Sequence, residues 1–460
     1  MPMEPWFGSA VDTAALIRGG VASSRELTES ALRRIDEVNP TVNAVVEVRA
    51  EEALKEAAAA DDSSGDARTG LLNGVPVTVK EAFNVSGMHT TWGNPYLEEY
   101  VADRDATVVR RLKEAGAVII GKTNVPFMLG DFGQTANELH GVTNNPWDPT
   151  RTAGGSSGGA AAAVAAGLSF LDYGSDLAGS IRIPASFCGV YGLKPSVGLV
   201  PGMGFQPPGP PALPGEMAYM SALGPLGRSI RDLRAALGAT AGVESPAASA
   251  YTWRLPSPRH TTLRDHKVGL VLDHESAPVS SEVGSVLSDT ADALAKSGAT
   301  VVEGWPDDID PREDFESFGF HVRLFLAYND PDNTDFAMGQ FIDQERRRMR
   351  SRALWGRYFE DVDVFLCPTN FTPAFPHDER PFESRTVETP EGPRSYADQP
   401  FWISHASLAG LPALSAPVGQ TTSGLPIGIQ VVGPLYEDDT ALSFAELMAD
   451  TVGGYQPPPI

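Results

Sequence analysis

Residues 153–196 read AGGSSGGAAAAVAAGLSFLDYGSDLAGSIRIPASFCGVYGLKPS, and this stretch decides the fold. It carries two serine clusters set in glycine, Gly154-Gly155-Ser156-Ser157-Gly158-Gly159 and Asp176-Leu177-Ala178-Gly179-Ser180-Ile181-Arg182, with an alanine-rich helical run between them. Serine in a glycine-rich turn sits on backbone that bends without a Cβ penalty and lets a substrate approach closely. Its hydroxyl is a poor nucleophile until a neighbouring base takes the proton. A candidate base lies upstream in Val77-Thr78-Val79-Lys80-Glu81. The apolar alternation over 75–79 predicts a strand entering the core, and a lysine at its end, stripped of water, loses affinity for its proton.

Each of these residues has a blander explanation when taken alone. Ser156 or Ser157 reads as the N-cap of the alanine helix, Ser180 as a turn serine, and Lys80 as a strand-end lysine whose head reaches water. A sharper rival is the formal G-x-S-x-G match at 154–158, which would make Ser156 the nucleophile of an elbow, with His377 or His405 as base. An elbow needs a strand directly before the serine, and Asn144-Asn145-Pro146-Trp147-Asp148-Pro149 is turn-rich instead.

The combination resembles the amidase signature family. Segment 153–196 looks like its signature, and Gly74-Val75-Pro76 before Lys80, Gly121-Lys122-Thr123-Asn124, Gly141-Val142-Thr143-Asn144-Asn145-Pro146-Trp147 and Gly424-Leu425-Pro426-Ile427-Gly428-Ile429-Gln430 resemble it in family order. The resemblance implies an α/β fold over residues 1–460, a single large domain with a mixed central sheet flanked by helices and the catalytic signature at about 74–200. It also implies a Ser-cisSer-Lys triad: Lys80 as base, Ser156 as the bridging cis-serine, Ser180 as nucleophile. The backbone N–H groups of Leu177, Ala178, Gly179 and Ser180 fall where the family builds its oxyanion hole. Ala178 departs from the usual glycine, and a positive φ there would be costly.

Around these residues, Ser157 and Ser175 are candidates to hydrogen-bond the lysine or the bridging serine, and Asp176 and Arg182 to fix the nucleophile loop as an ion pair. The segment Phe127, Met128, Leu129 and Gly130 borders the acyl pocket in related enzymes. Two loops are further pocket candidates. The proline- and glycine-rich 201–220 carries Met203 and Phe205, followed by Met217, Tyr219 and Met220; an apolar loop of this kind needs something to cover it. The polar 377–400 reads as a lid or a solvated excursion.

The chain has 460 residues, a formal net charge of −24 and 42% hydrophobic residues. That charge disfavours nucleic acid and anionic membranes as partners. The N-terminus lacks the charged start and apolar core of a signal peptide, and no run of about 18 apolar residues occurs, so a cytoplasmic location is expected. Cys188 and Cys367 read as buried free thiols, and the scattered histidines supply no metal motif, so neither metal nor cofactor is expected. The expected partner is a small amide, ester or carbamate, acted on by a monomer or homodimer. Helical periodicity marks 26–38 and 106–115, and strand-like runs mark 118–120, 268–272 and 427–432. One alternative within the family is the amidase component of the glutamine-dependent tRNA amidotransferase, although Ile183 stands where those proteins carry glutamine.

Overall fold

The run at 75–79 forms the strand Pro76–Lys80, and all five of its residues are buried. It pairs in parallel with Val118–Thr123, which pairs antiparallel with Val45–Val48, making a small three-stranded sheet. Valine and isoleucine on both faces of the central strand explain why it is buried throughout. The computed structural model describes residues 5–63, 70–206, 220–244, 247–328, 336–389 and 392–460.

The main sheet has eight strands in the order Thr300–Glu303, Lys267–Leu270, Val364–Pro368, Pro426–Val432, Ala413–Gln420, Tyr191–Lys194, Ala222–Gly227 and Leu171–Asp176. The first three run parallel to one another and the remaining neighbours pair antiparallel, so the sheet is mixed. Leu171–Asp176 is its last strand, and Pro76–Lys80 of the small sheet packs against it. The Thr78 N–H donates to Ser169 Oγ at 2.9 Å and holds the two together. An otherwise open edge is thereby covered, and the end of the lysine strand is carried to the serine clusters.

The alanine run forms the helix Gly158–Ala165, wholly buried. Small side chains are what allow this. A Cβ on Gly159 would lie 2.6 Å from the Asn124 carbonyl oxygen, so only glycine permits that approach. The helices Ser24–Val42 and Thr107–Glu114 and the strands at 118–123, 267–270 and 426–432 match the periodicities of the sequence to within a few residues at their ends. Cys188 and Cys367 are free and buried, and burial pushes both thiols well up, Cys367 to about 12. Among the described residues no helix is long and apolar enough to cross a membrane.

The two loops expected to line a pocket differ from each other. The Met203 and Gly204 carbonyls accept from the Thr107 and Asn84 N–H groups, which turns Phe205 inward. Its ring lies 4.9 Å from that of Phe83 and 5.1 Å from that of Trp92, within the hydrophobic core. The loop's apolar content at Phe205 is thus covered by the core rather than offered to a ligand. Residues 207–219, with Met217 and Tyr219, lie outside the described residues. In segment 377–400, Thr386–Thr389 and Gly392–Ser395 pair as a hairpin, and His377, Asp378, Arg380 and residues 386–388 line a cavity. Arg385 pairs with Asp131 at 2.5 Å, the Tyr396 hydroxyl donates to the same carboxylate at 2.6 Å, and Phe132 stacks on Tyr396.

Candidate active site

Three elements meet at Lys80. The strand Pro76–Lys80 delivers the lysine, the turn before Gly158–Ala165 delivers Ser156 and Ser157, and the end of Leu171–Asp176 delivers Ser175. The Lys80 Nζ donates to Ser156 Oγ at 2.6 Å, Ser157 Oγ at 2.9 Å and Ser175 Oγ at 3.0 Å. Ser157 occupies the N-cap position of its helix but makes no side-chain cap bond, because its hydroxyl is turned to the lysine. A helix that forgoes a cap worth about 1 kcal/mol marks a site where local stability yields to another requirement. The Gly155–Ser156 peptide bond is cis.

Lys80 is fully buried, and that burial pulls its pKa down to about 7 against the opposing pull of Asp176 and Asp172. A lysine of this kind is a neutral amine for part of the time near neutral pH and can accept a proton. Exposure rises outward from it: Lys80 has none, Ser156 1% and Ser180 7%.

Ser180 sits on the turn between the strand Leu171–Asp176 and the short helix Arg182–Cys188. Its carbonyl accepts from the Ser157 N–H at 3.1 Å, which fastens the two serine loops to each other. The strand–turn–helix context that an elbow requires is therefore found at Ser180 and is absent at Ser156. His405 packs against Trp305 and Phe401, and His377 lines a cavity of about 530 Å³ together with Arg151 and Thr372. The partner of the Ser156 hydroxyl is Lys80.

Asp176 organises the Ser180 loop. Its carboxylate accepts from the N–H groups of Gly179 (3.0 Å), Ile181 (3.1 Å) and Arg182 (3.3 Å) and pairs with the Arg182 guanidinium at 2.8 Å, with both side chains fully buried. Burial, the largest single influence, would raise the Asp176 pKa, but Arg182 together with Lys194 and the Ile181 N–H holds the carboxyl below its usual range. The guanidinium is held in turn by the Ile403 carbonyl, Gln430 Oε1 and Ser407 Oγ. One expectation is corrected here: the Gly179 N–H is already spent on Asp176 and is not free for an oxyanion. The N–H groups of Leu177, Ala178 and Ser180 have no partner among the described residues. The positive φ of this loop, +91°, falls on Gly179, while Ala178 keeps an ordinary φ, so alanine costs nothing there.

Phe127–Leu129 forms a single 3-10 turn ending at Gly130, with Met128 and Leu129 both at positive φ. Non-glycine residues in that region are uncommon and cluster at functional sites. Phe127 is half exposed, and Met128 is tied through its N–H to the Trp92 carbonyl. Phe205, behind Trp92, backs this turn from the core. Met203 is held by its backbone to the start of the helix Thr107–Glu114.

Several residues that shape the site were not singled out in the sequence. The Phe132 carbonyl accepts from the Gly155 N–H at 3.0 Å, and the Thr135 hydroxyl donates to the Gly154 carbonyl at 2.9 Å. Asn145 Nδ2 donates to the Thr152 and Phe187 carbonyls, joining the approaches to both serine loops. Asn145 and Gln430 lie inside motifs quoted for the resemblance, so a signal for them was present. Asp172 lies inside the 153–196 stretch as well, whereas Asp131 and Phe132 had no such signal.

The amidase family model matches residues 26–330 and 329–442. The chain belongs to the amidase family. It is 36% identical to the indoleacetamide hydrolase of Bradyrhizobium diazoefficiens, covering 97% of this chain and 87% of that protein. It is 34% identical to one of the subunits of the glutamyl-tRNA(Gln) amidotransferase of Thermosynechococcus vestitus, covering 95% of this chain and 96% of that protein. Among solved structures, 6-aminohexanoate cyclic dimer hydrolase complexed with substrate superposes with a TM-score of 0.78 at 28% identity, covering 98% of each chain. The chain is accordingly an amidase, a hydrolase of carbon–nitrogen bonds.

Proposed function

We propose that this amidase cleaves a small apolar or aryl carboxamide through an acyl-enzyme on Ser180. Ser180 Oγ attacks the amide carbonyl and passes its proton to Ser156 Oγ, whose own proton goes to the neutral Lys80 Nζ. The free N–H groups of Leu177, Ala178 and Ser180 receive the oxyanion. The relay then runs backwards: Lys80 returns the proton through Ser156 to the leaving amine, and the C–N bond breaks. Water, deprotonated by the same relay, cleaves the ester and frees Ser180.

The observation that carries this reading is the 2.6 Å contact between a desolvated Lys80 and Ser156, on a loop fastened to the Ser180 carbonyl through the next residue, Ser157. The apolar preference rests on the residues behind the nucleophile: a Cβ placed on Gly179 would lie 2.7 Å from Ile183 and 3.0 Å from Ile403. Ile183 also bears on the second reading, favoured by the relatives that belong to amidotransferases. A buried isoleucine beside the loop offers no hydrogen bond to a glutamine side chain, which supports stand-alone hydrolysis. A carbamate differs from an amide by one heteroatom beside the carbonyl and meets the same triad.

The test is hydrolysis of an aryl amide and an aryl carbamate sharing one aniline leaving group, with glutamine as a third substrate and Ser180→Ala as the blank. Serine-dependent release from the amide is the expected result. Turnover of glutamine alone would replace this reading with the amidotransferase one.

A further inference from the structure

We propose that Asp172 is a buried charge partner that, alongside Asp176, sets whether Lys80 holds its proton, a positioning residue that lies within the 153–196 stretch but outside its serine clusters. The inference rests on Lys80 acting as the base.

Asp172 lies on the strand Leu171–Asp176 and is fully buried. Its Oδ2 accepts from the Thr78 hydroxyl at 2.5 Å and the Thr123 hydroxyl at 3.1 Å. Oδ1 has no hydrogen-bond partner among the described residues. A carboxylate buried with one oxygen uncovered and no guanidinium beside it is costly, and it lowers that cost by taking a proton or by facing a cation. The cation available is Lys80. Thr78 and Lys80, two apart on one strand, share a face, and Thr78 is itself bonded to Asp172.

Counting protons shows what the pair can do. Lys80 Nζ makes three hydrogen bonds to serine hydroxyls. An ammonium has three donors and no acceptor, whereas a neutral amine has two donors and one lone pair. When Lys80 is neutral, one serine must donate to it, and the shortest contact is Ser156. Ammonium with carboxylate and amine with carboxylic acid contain the same protons and the same net charge. The two forms differ only in which of the two groups holds the proton. Burial, the dominant influence on each, draws Lys80 down and pushes Asp172 up, each to about 7.

The other carboxylate that acts on Lys80, Asp176, pulls on its proton more strongly than Asp172 does, but it is tied to a guanidinium. Asp176 is paired with Arg182, and Lys194, drawn down to about 7 by burial and by Arg182, lies on the far side of that pair near Asp438. Lys122 and Glu81, at the end of the small sheet, pair with each other. The strand Ala222–Gly227 and the helix Gly158–Ala165 carry no titratable side chain, and the Tyr173 hydroxyl is bonded to Thr240.

Asp172→Asn keeps the shape and one acceptor but removes the charge, so Lys80 gives up its proton more readily and is a weaker base. The experiment is kcat/KM against pH for the wild type, Asp172→Asn, Thr123→Val and Lys80→Ala on one anilide. The acid limb of Asp172→Asn is expected about one pH unit below that of the wild type, with a lower plateau. Thr123→Val, which leaves the carboxylate less well held, is expected to move the limb the same way by less. A merely structural role for Asp172 lowers the plateau and leaves the limb in place, and that result overturns the inference. If Asp172→Asn does not fold, Thr123→Val decides alone, on the same criterion. Lys80→Ala separates the two failures: wild-type rates there would remove the base itself, whereas an inactive Lys80→Ala beside unmoved limbs would remove only Asp172.

Discussion

Replacing Arg182 by methionine keeps the bulk of the side chain and removes five hydrogen bonds: two to Asp176 and one each to Ile403, Gln430 and Ser407. It leaves the fully buried Asp176 carboxylate without its counter-charge, although three loop N–H groups still donate to it. Breaking one side of a buried pair costs about 3–5 kcal/mol, most of it from the charge left behind. With an unfolding entropy of about 2 cal/mol/K per residue, a chain of this length loses about 1 °C in Tm per kcal/mol, so Tm falls by about 3–5 °C. Activity falls further, because the freed carboxylate pulls on the Gly179 and Ile181 amides that set the Ser180 turn. Asp176→Asn strands the guanidinium instead, and the double variant strands neither charge. The double variant is thus less damaged than the sum of the singles, with a coupling of about 2–3 kcal/mol in a cycle read by calorimetry. Additive losses, or an Arg182→Met protein within about 1 kcal/mol of the wild type, would refute the view that this pair holds the nucleophile loop.

With Lys80 titrating at about 7, kcat/KM of the wild type drops about tenfold per pH unit below that point, leaving about 9% at pH 6; a rate level down to pH 5 would show that no neutral lysine is needed. Ser156→Ala is expected to lower kcat by about 10²–10⁴ with little change in KM, measured at saturating anilide, because it interrupts proton transfer alone. Gly179→Ala puts a Cβ at φ +91° against Ile183 and Ile403, and a loss of kcat together with a lower Tm is expected in steady-state and thermal assays.

Much of the site was legible because its chemistry is local. Lys80, Ser156 and Ser180 each stand in a distinctive flank, and Ser157 and Ser175 follow from adjacency in the chain. What stayed hidden depends on who meets whom across the fold. Asp172 is 92 residues from Lys80, and only the packing of the small sheet on the last strand of the main one makes them neighbours. Phe205 was rightly noticed as an apolar residue in a loop, yet composition cannot say which side of the loop faces the core. Within the polar 377–400 segment, Arg385 and Tyr396 are used on Asp131 whereas Glu379 and Glu383 face water, and a polar residue with a partner looks the same in sequence as one in water. The amide of Gly179 was claimed by an acceptor three residues away, a competition that only the turn geometry settles.

The central claim is a covalent intermediate on Ser180, and the most direct measurement is acid quenching during turnover of a slow aryl carbamate or activated amide, followed by peptide mass mapping. The expected result is a single acyl adduct on the peptide carrying residues 177–182, localised to Ser180 and absent from Ser180→Ala. An adduct on Ser156, or sustained turnover in the Ser180→Ala protein, would contradict it.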